Sequence, residues 1–308
     1  MPLVSVALCT YNGAAFLAEQ LDSLLAQDHA PMELVAFDDA SGDDTWAILQ
    51  RYSTRFASAR LQRNERNLGL RANFEQALRA CRGDWIAPCD QDDVWAPHKL
   101  SRLLQAADAQ TTLVYGDSLL VDEAGTPLPR KPRMSDRYRM VSGDDPRLFA
   151  LSNCVSGHAA LVRRDVVERA LPIPDGAYHD WWLAFVAANL GRVVHVDEAL
   201  VRFRQHAANE SGAAGQRKAR PAPTAREKHD AEARNLASLA AFEGPQQAFF
   251  QQLSMLWAQR ATRRITPSLA GFLYRHRHAV FAMKPSSPAA KGRHALKYLA
   301  GLRGKVTR

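Results

Sequence analysis

Trp85-Ile86-Ala87-Pro88-Cys89-Asp90-Gln91-Asp92-Asp93 is an apolar run of strand length that stops at three carboxylates. A run of this kind reads as a buried strand of a parallel sheet, and the polar cluster beyond it then lies at the carboxyl edge, where such sheets bind ligands. Helix-like segments flank it at Leu70–Cys81 and Pro97–Ala109, the second with proline in its first turn. Further back, Leu3–Cys9, Glu33–Phe37 and Ala59–Arg63 read as strands. Ala14–Ala26 repeats Phe16, Leu17, Leu21, Leu24 and Leu25 at helical spacing, and Asp43–Tyr52 is a helix that Asp43 is placed to cap. Strand and helix alternate four times, which predicts an α/β fold with a mainly parallel, doubly wound central sheet and helices on both faces.

After residue 110 the rhythm changes. Leu113–Asp122, Asn153–Arg163, Val193–Val196 and Ala199–Arg204 are strand-like, Lys131–Asp145 is a polar loop, and Trp181–Leu190 is helical. A segment rich in Gly, Ala, Pro and basic residues, about 210–224, reads as a linker. Helical segments follow at Ala225–Phe242, Pro245–Arg264, Pro267–Met283 and Ala289–Leu302. Charge divides the chain at the same place. Residues 1–210 hold 22 Lys/Arg against 28 Asp/Glu, and residues 211–308 hold 18 against 4. The expected organisation is a catalytic domain over 1–210 and a basic helical region over 211–308.

Hydrophobic residues at 46% and charged residues at 23% are ordinary for a globular protein and exclude a disordered or collagen-like chain. No apolar run approaches the roughly 20 residues that span a bilayer. Met1–Ser5 carries no basic leader, so a cytoplasmic location is expected. Cys9, Cys81, Cys89 and Cys154 have no CxxC pairing and no histidine at zinc-like spacing, and buried free thiols are expected.

Three strand ends carry the polar groups: Thr10-Tyr11-Asn12-Gly13, Asp38-Asp39-Ala40-Ser41-Gly42-Asp43-Asp44 and Asp90-Gln91-Asp92-Asp93. Each alone is ordinary turn and helix-cap chemistry. Together on one edge they concentrate negative charge that a cation has to neutralise. Oxygen donors of this kind suit Mg²⁺ or Mn²⁺, which take one or two carboxylates plus substrate phosphates. An ion on Asp92, with Asp90 beside it, would grip a diphosphate as a leaving group.

These motifs resemble glycosyltransferase family 2, whose members have the GT-A fold. Cys9–Gly13 is similar to the family's opening strand motif, and Phe37–Thr45 to its DDGS segment, with Ala40 in the usual glycine place. Asn67-Leu68-Gly69 with Asn73 resembles the next loop, and Pro88–Trp95 with Lys99 the DxD-type metal motif in the DQDDxW form of a rhamnosyltransferase-like branch. Arg204-Gln205-His206 with Asn209 resembles the late RQH motif, with Phe203 replacing tyrosine. The likeness covers about residues 3–210 and implies roles. Thr10, Tyr11, Asn12, Asp38, Asp39, Asn67, Asp90, Gln91 and Lys99 would bind the nucleotide-sugar donor, and Asp92 and His206 the metal. Asp180 would be the general base, with His179, Trp181, Trp182 and Trp95 on the acceptor side; of the adjacent indoles, one is expected to face the core and the other the cleft. The activity implied is inverting transfer of a sugar, L-rhamnose from dTDP-L-rhamnose or a hexose from a UDP-sugar, to a saccharide or polyprenyl-linked acceptor of cell-surface polysaccharide such as O-antigen. The family's processive members carry a QxxRW motif and membrane-spanning helices, both missing here.

A catalytically silent scaffold of the same fold is the alternative from another class. A nucleotidyltransferase would need a basic loop after the first strand, and Tyr11–Ala15 has none. The C-terminal helices interleave basic residues with Phe249, Leu253, Trp257, Phe272 and Leu299, which suits peripheral docking on the inner membrane surface, packing on the catalytic domain, or a homodimer contact. Nucleic acid is not expected as a partner, because the catalytic half is acidic and no recognition module is present.

Overall fold

The computed structural model describes residues 1–129, 133–136, 138–206 and 224–302. The expected 210–224 linker and Asn209 of the late motif fall almost wholly outside them. An eight-stranded sheet organises the first 206 residues, built from β1 (Val4–Thr10), β2 (Met32–Asp38), β3 (Ala59–Arg63), β4 (Trp85–Cys89), β5 (Val94–Trp95), β6 (Thr111–Val121), β7 (Ala160–Arg163) and β8 (Arg192–Arg204). Their order is β3-β2-β1-β4-β7-β6-β8-β5. The β3-β2-β1-β4 half is parallel throughout, with Val4 opposite both Met32 and Trp85. β7 runs antiparallel between β4 and β6, β8 pairs parallel with β6, and β5 closes the edge antiparallel to β8.

The helices between these strands are α1 (Leu17–Leu25), α2 (Thr45–Ser53), α3 (Leu70–Ala80), α4 (Lys99–Gln105), α5 (Arg164–Ala170) and α6 (His179–Leu190). Sheet residues alternate between two apolar clusters. Val4, Val6 and Leu8 face α1 and α4 residues, while Ala7 and Cys9 face Phe74 of α3 and the α6 side.

Two strand expectations change in extent. Of Asn153–Arg163 only β7 pairs, because the Asn153 side chain bonds Val155 at both N–H and C=O and Gly157–Ala159 form a 3₁₀ turn. Val193–Val196 and Ala199–Arg204 are one long strand, β8, with register shifts against β6 around Gly116, where a Cβ would lie 2.9 Å from Leu200.

Beyond residue 224 lie α7 (Ala225–Ala241), α8 (Gln247–Gln259), α9 (Pro267–Arg275), α10 (Arg277–Val280) and α11 (Pro288–Leu296). Thr224 and Glu227 form a capping box on α7. The Pro267–Met283 segment breaks at His276 into α9 and α10. These helices share an apolar cluster with the sheet: Phe185 of α6 meets Phe242 at 5.5 Å and Phe250 of α8 at 5.0 Å, both edge-on. Among the described residues no helix is long and apolar enough to cross a membrane.

Candidate active site

The carboxyl ends of β1 and β2 hold each other. Thr10 donates its hydroxyl to Asp38 at 3.0 Å, and Ser41 donates both its N–H and its hydroxyl to the same carboxylate. Asp39 is buried too and accepts from Asn64 Nδ2 at 2.8 Å and from the Leu68 and Gly69 N–H groups at 2.8 and 2.9 Å. Their carboxylates therefore shape the loops that would surround a nucleoside. The atoms left near the surface belong to Tyr11, which is exposed, Asn12, whose Oδ1 accepts from the Gly42 N–H, and Asn67, whose Oδ1 accepts from the Gly69 N–H. Asn12 and Ala40 both sit at positive φ, 47° and 61°. Ala40 thus stands where the resemblance has glycine because this backbone is left-handed.

The acidic turn after β4 is fastened on three sides. Gln91 clamps Tyr11, accepting from its N–H at 2.8 Å and donating to its carbonyl at 3.0 Å, and any Cβ at Gly13 would overlap that amide. Arg204, at the end of β8, donates its backbone N–H to Asp93 and its guanidinium to the Asp92 carbonyl at 3.0 Å. His158, from the 3₁₀ turn before β7, is buried with Nδ1 at 3.6 Å from Asp90 and 3.7 Å from Asp93, while Nε2 lies 2.9 Å from the Ser118 hydroxyl.

Two carboxylate–imidazole sets result. The inner one is Asp90, Asp93 and His158, whose candidate ligand atoms lie within 4.8 Å of one another. The outer one joins His206 Nε2 to Asp92 Oδ2 at 2.8 Å, with the His206 ring tilted over Phe16. Burial, with the charges of Asp92 and Asp90, pushes the Asp93 carboxyl up to about 7. Burial acts on Asp90 in the same direction, but the His158 ring beside it prevails and holds its carboxyl below the ordinary value. His158 is raised in turn: burial disfavours its charged form, and the two carboxylates outweigh that. Asp93 Oδ2 is buried with no hydrogen-bond partner among the described residues and has only the His158 ring facing it at 3.7 Å, so this oxygen-rich turn is one that a divalent cation fits.

Asp180 stands in the first turn of α6, where its Oδ1 accepts from the Trp181 N–H at 2.6 Å. Burial raises its pKa, and it is near enough to Asp90 and His158 for their charges to bear on it. The link is Gly157, whose hydrogen faces α6: a Cβ there would lie 2.8 Å from His179 Nε2 and 3.5 Å from the Asp180 Cβ. His179 stacks on Phe74 at 4.1 Å.

Asp90 and Asp92 share the acidic turn with His206 on Asp92, and Asp180 lies near enough to Asp90 to feel its charge, whereas other expected residues lie elsewhere. Trp95 was expected on the acceptor side, but its ring is buried in the core with the Lys99 ammonium 2.9 Å from its centroid. Lys99, expected on the donor, is fully buried and donates to the His158 carbonyl at 2.6 Å. Trp182 faces the core as one of the pair was expected to, and Trp181 also packs against that cluster; both indole N–H groups are spent on backbone carbonyls, of Ala170 and Phe149 at 2.7 Å each. His158, Asn64 and the inward carboxylate of Asp93 were not anticipated, and Arg204 was expected only as part of the late motif, without a role. The polar break Ser156-Gly157-His158 inside an otherwise apolar segment was the signal available for His158.

A parallel sheet half, an acidic turn at its carboxyl edge and a half-buried carboxylate on a helix beyond an antiparallel strand are the arrangement of a GT-A domain. The model of Glycosyl transferase family 2 matches residues 5–171, and the chain belongs to that family. An uncharacterized glycosyltransferase of Nostoc sp. is 27% identical over 67% of the chain and 66% of its own length. An uncharacterized protein of Mycobacterium tuberculosis is 30% identical over 66% of the chain and 59% of its own length. The chain thus spans about two thirds or less of these relatives. Among solved structures, Staphylococcus aureus TarS 1-349 in complex with UDP-GlcNAc superposes with a TM-score of 0.60 at 18% identity, covering 96% of this chain and 80% of that one. The mannosyltransferase PcManGT of Pyrobaculum calidifontis, in complex with GDP-Man and Mn²⁺, superposes at 0.53 with 20% identity, covering 96% and 79%.

Proposed function

We propose that the chain is an inverting, metal-dependent glycosyltransferase that moves a sugar from a nucleoside diphosphate donor to an acceptor hydroxyl. The observation that carries this is that the acidic turn, with His206 on Asp92 and His158 beside Asp90, is approached by Asp180 of α6 across the Gly157-His158 turn. Asp92 and His206 would hold the divalent cation, since the Asp93 side chain has no solvent exposure whereas Asp92, though largely buried, turns its Oδ2 to His206 at 2.8 Å. When bound, that ion supplies Lewis-acid stabilisation of the departing diphosphate. Asp90, Asp93 and His158 hold the turn in shape behind it.

Asp180 takes the acceptor proton as the new C–O bond forms at the anomeric carbon and the bond to the diphosphate oxygen breaks. One displacement from the face opposite the leaving group inverts the centre. Tyr11, Asn12 and Asn67 are offered to the base and ribose. For the donor we propose dTDP-L-rhamnose, on the DQDDxW form, and for the acceptor a saccharide of cell-surface polysaccharide.

Titration calorimetry with dTDP, UDP and GDP, each with and without Mn²⁺, tests this. Metal-dependent binding of one nucleotide that disappears in both Asp92→Ala and His206→Ala is expected. Binding unaffected by metal, or none, would leave a silent scaffold. Preference for UDP or GDP over dTDP would overturn the rhamnosyl donor alone.

A further inference from the structure

The last acidic residue of the chain is Glu243: from 244 to 308 there are twelve Lys/Arg and no Asp or Glu. The fold brings part of this segment into one surface. The Gly301 N–H donates to the Arg264 carbonyl and the Thr266 N–H to the Leu299 carbonyl, both at 2.8 Å, and Ile265 bridges Ala300. Residues 264–266 and 299–301 are thereby joined. One turn back on α11 stands Leu296, and one further turn back Gly292, where a Cβ would lie 3.0 Å from the Tyr274 ring.

The inner faces of these helices are well buried at Leu269, Phe272, Leu273 and Ala295, yet the outer face stays apolar. Ile265 is 66% exposed, Leu296 57%, Tyr274 49% and Leu299 43%. Arg263, Arg264, Arg293 and Lys297, all exposed, are interleaved with them. Exposed aliphatic side chains set among cations mark an interaction surface.

Its charge selects the occupant. A second copy would bring an acid-free cationic face against itself, which like-charge repulsion opposes. Nucleic acid would use the cations but gains nothing from Ile265, Leu296 and Leu299, whose aliphatic side chains cannot stack on bases. A lipid bilayer with anionic headgroups uses both. We propose that the face built by residues 263–266, α11 and the 299–301 segment docks on an anionic membrane surface. There Ile265, Leu296 and Leu299 enter the headgroup layer, and Arg263, Arg264, Arg293 and Lys297 meet lipid phosphates. This surface stands independently of the donor and acceptor assigned above.

Co-sedimentation of the full chain with phosphatidylcholine vesicles, and with the same vesicles containing phosphatidylglycerol, tests it. Binding to the anionic vesicles is expected to exceed binding to the neutral ones by at least about tenfold and to weaken in high salt. The triple change Ile265→Ser, Leu296→Ser and Leu299→Ser is expected to lower it by about tenfold with an unchanged melting profile. Should that variant fail to fold, Arg263→Gln with Arg264→Gln, Arg293→Gln and Lys297→Gln is expected to remove the preference for anionic vesicles. Equal binding to both vesicles, or full binding by a folded triple variant, would overturn the proposal. So would a dimer in light scattering that the triple change dissolves.

Discussion

Lys99 donates its ammonium to the carbonyl of His158 at 2.6 Å from a position without solvent exposure, and the ring of that histidine reaches Asp90 and Asp93. A buried cation thus sits behind the acidic turn. Burial drives its pKa well below that of ordinary lysine, and the neighbouring Cys89, Asp93 and Asp90 oppose that shift.

Removing this cation leaves the buried Asp93 carboxylate less compensated and the His158 carbonyl without its donor. Lys99→Met, which keeps most of the volume, is expected to lower unfolding free energy by about 3 kcal/mol in urea denaturation. Lys99→Arg should not restore it, because the planar guanidinium does not fit a pocket floored by the Trp95 ring. A loss under about 1 kcal/mol for Lys99→Met would show that the ammonium is not the counter-charge of the turn.

Asp180 is raised by burial, and a base works only in its ionised form. Activity is therefore expected to rise with pH along a limb whose midpoint lies above the usual carboxylate value of about 4. For stability the sign is opposite: the folded state holds the proton more tightly than the unfolded chain, so this group's contribution diminishes as pH rises through the folded pKa. Asp180→Asn should abolish the rising limb and reduce transfer by about 100-fold or more while leaving metal-dependent nucleotide binding intact. Loss of nucleotide binding in that variant would place Asp180 on the donor instead.

The parts of this site that were legible in the sequence are those whose chemistry is local. Asp90–Asp93 follows an apolar strand directly, and His206 belongs to a short motif whose residues lie side by side. Burial was not legible, because it is set by what packs from elsewhere. Trp95 and Lys99 looked like ligand-facing side chains, yet Trp95 pairs its backbone with Val201 of β8 and Lys99 reaches under a loop fifty-nine residues away. His158 stood alone in a segment read as strand, and only the tertiary approach of Asp90, Asp93 and Ser118 reveals its work. The C-terminal helices were visible from their spacing, whereas the edge-on rings that join Phe185 to Phe242 and Phe250 were not.

Ala40 tests how the Asp38-Asp39 turn is made. At φ 61° an alanine pays about 1 kcal/mol that glycine does not. Ala40→Gly regains this but enlarges the unfolded ensemble, a cost of about 0.4–1 kcal/mol, so little net change in the denaturation midpoint is expected. Ala40→Val, β-branched, is expected to lose more than about 1 kcal/mol and to weaken nucleotide binding through the adjoining loops. Equal stability of the valine variant would show that the turn adopts another backbone.

The four cysteines supply a reading of core integrity. All are free; Cys9, Cys89 and Cys154 are buried and Cys81 partly so. Burial pushes every one of these thiols up, Cys81 to about 12, and Gln20 Nε2 donates to Cys89 Sγ at 2.8 Å. The thiolate is the reactive species, so raised pKa and burial act in the same direction. With Ellman's reagent at pH about 8 the native protein is expected to release at most one slow equivalent, from Cys81, and all four only in denaturant. Cys9 is the next-to-last residue of its strand, before Thr10, and Cys89 ends its own directly before Asp90. Rapid reaction of two or more thiols in the native protein would therefore mean that the strand ends carrying the site open to solvent.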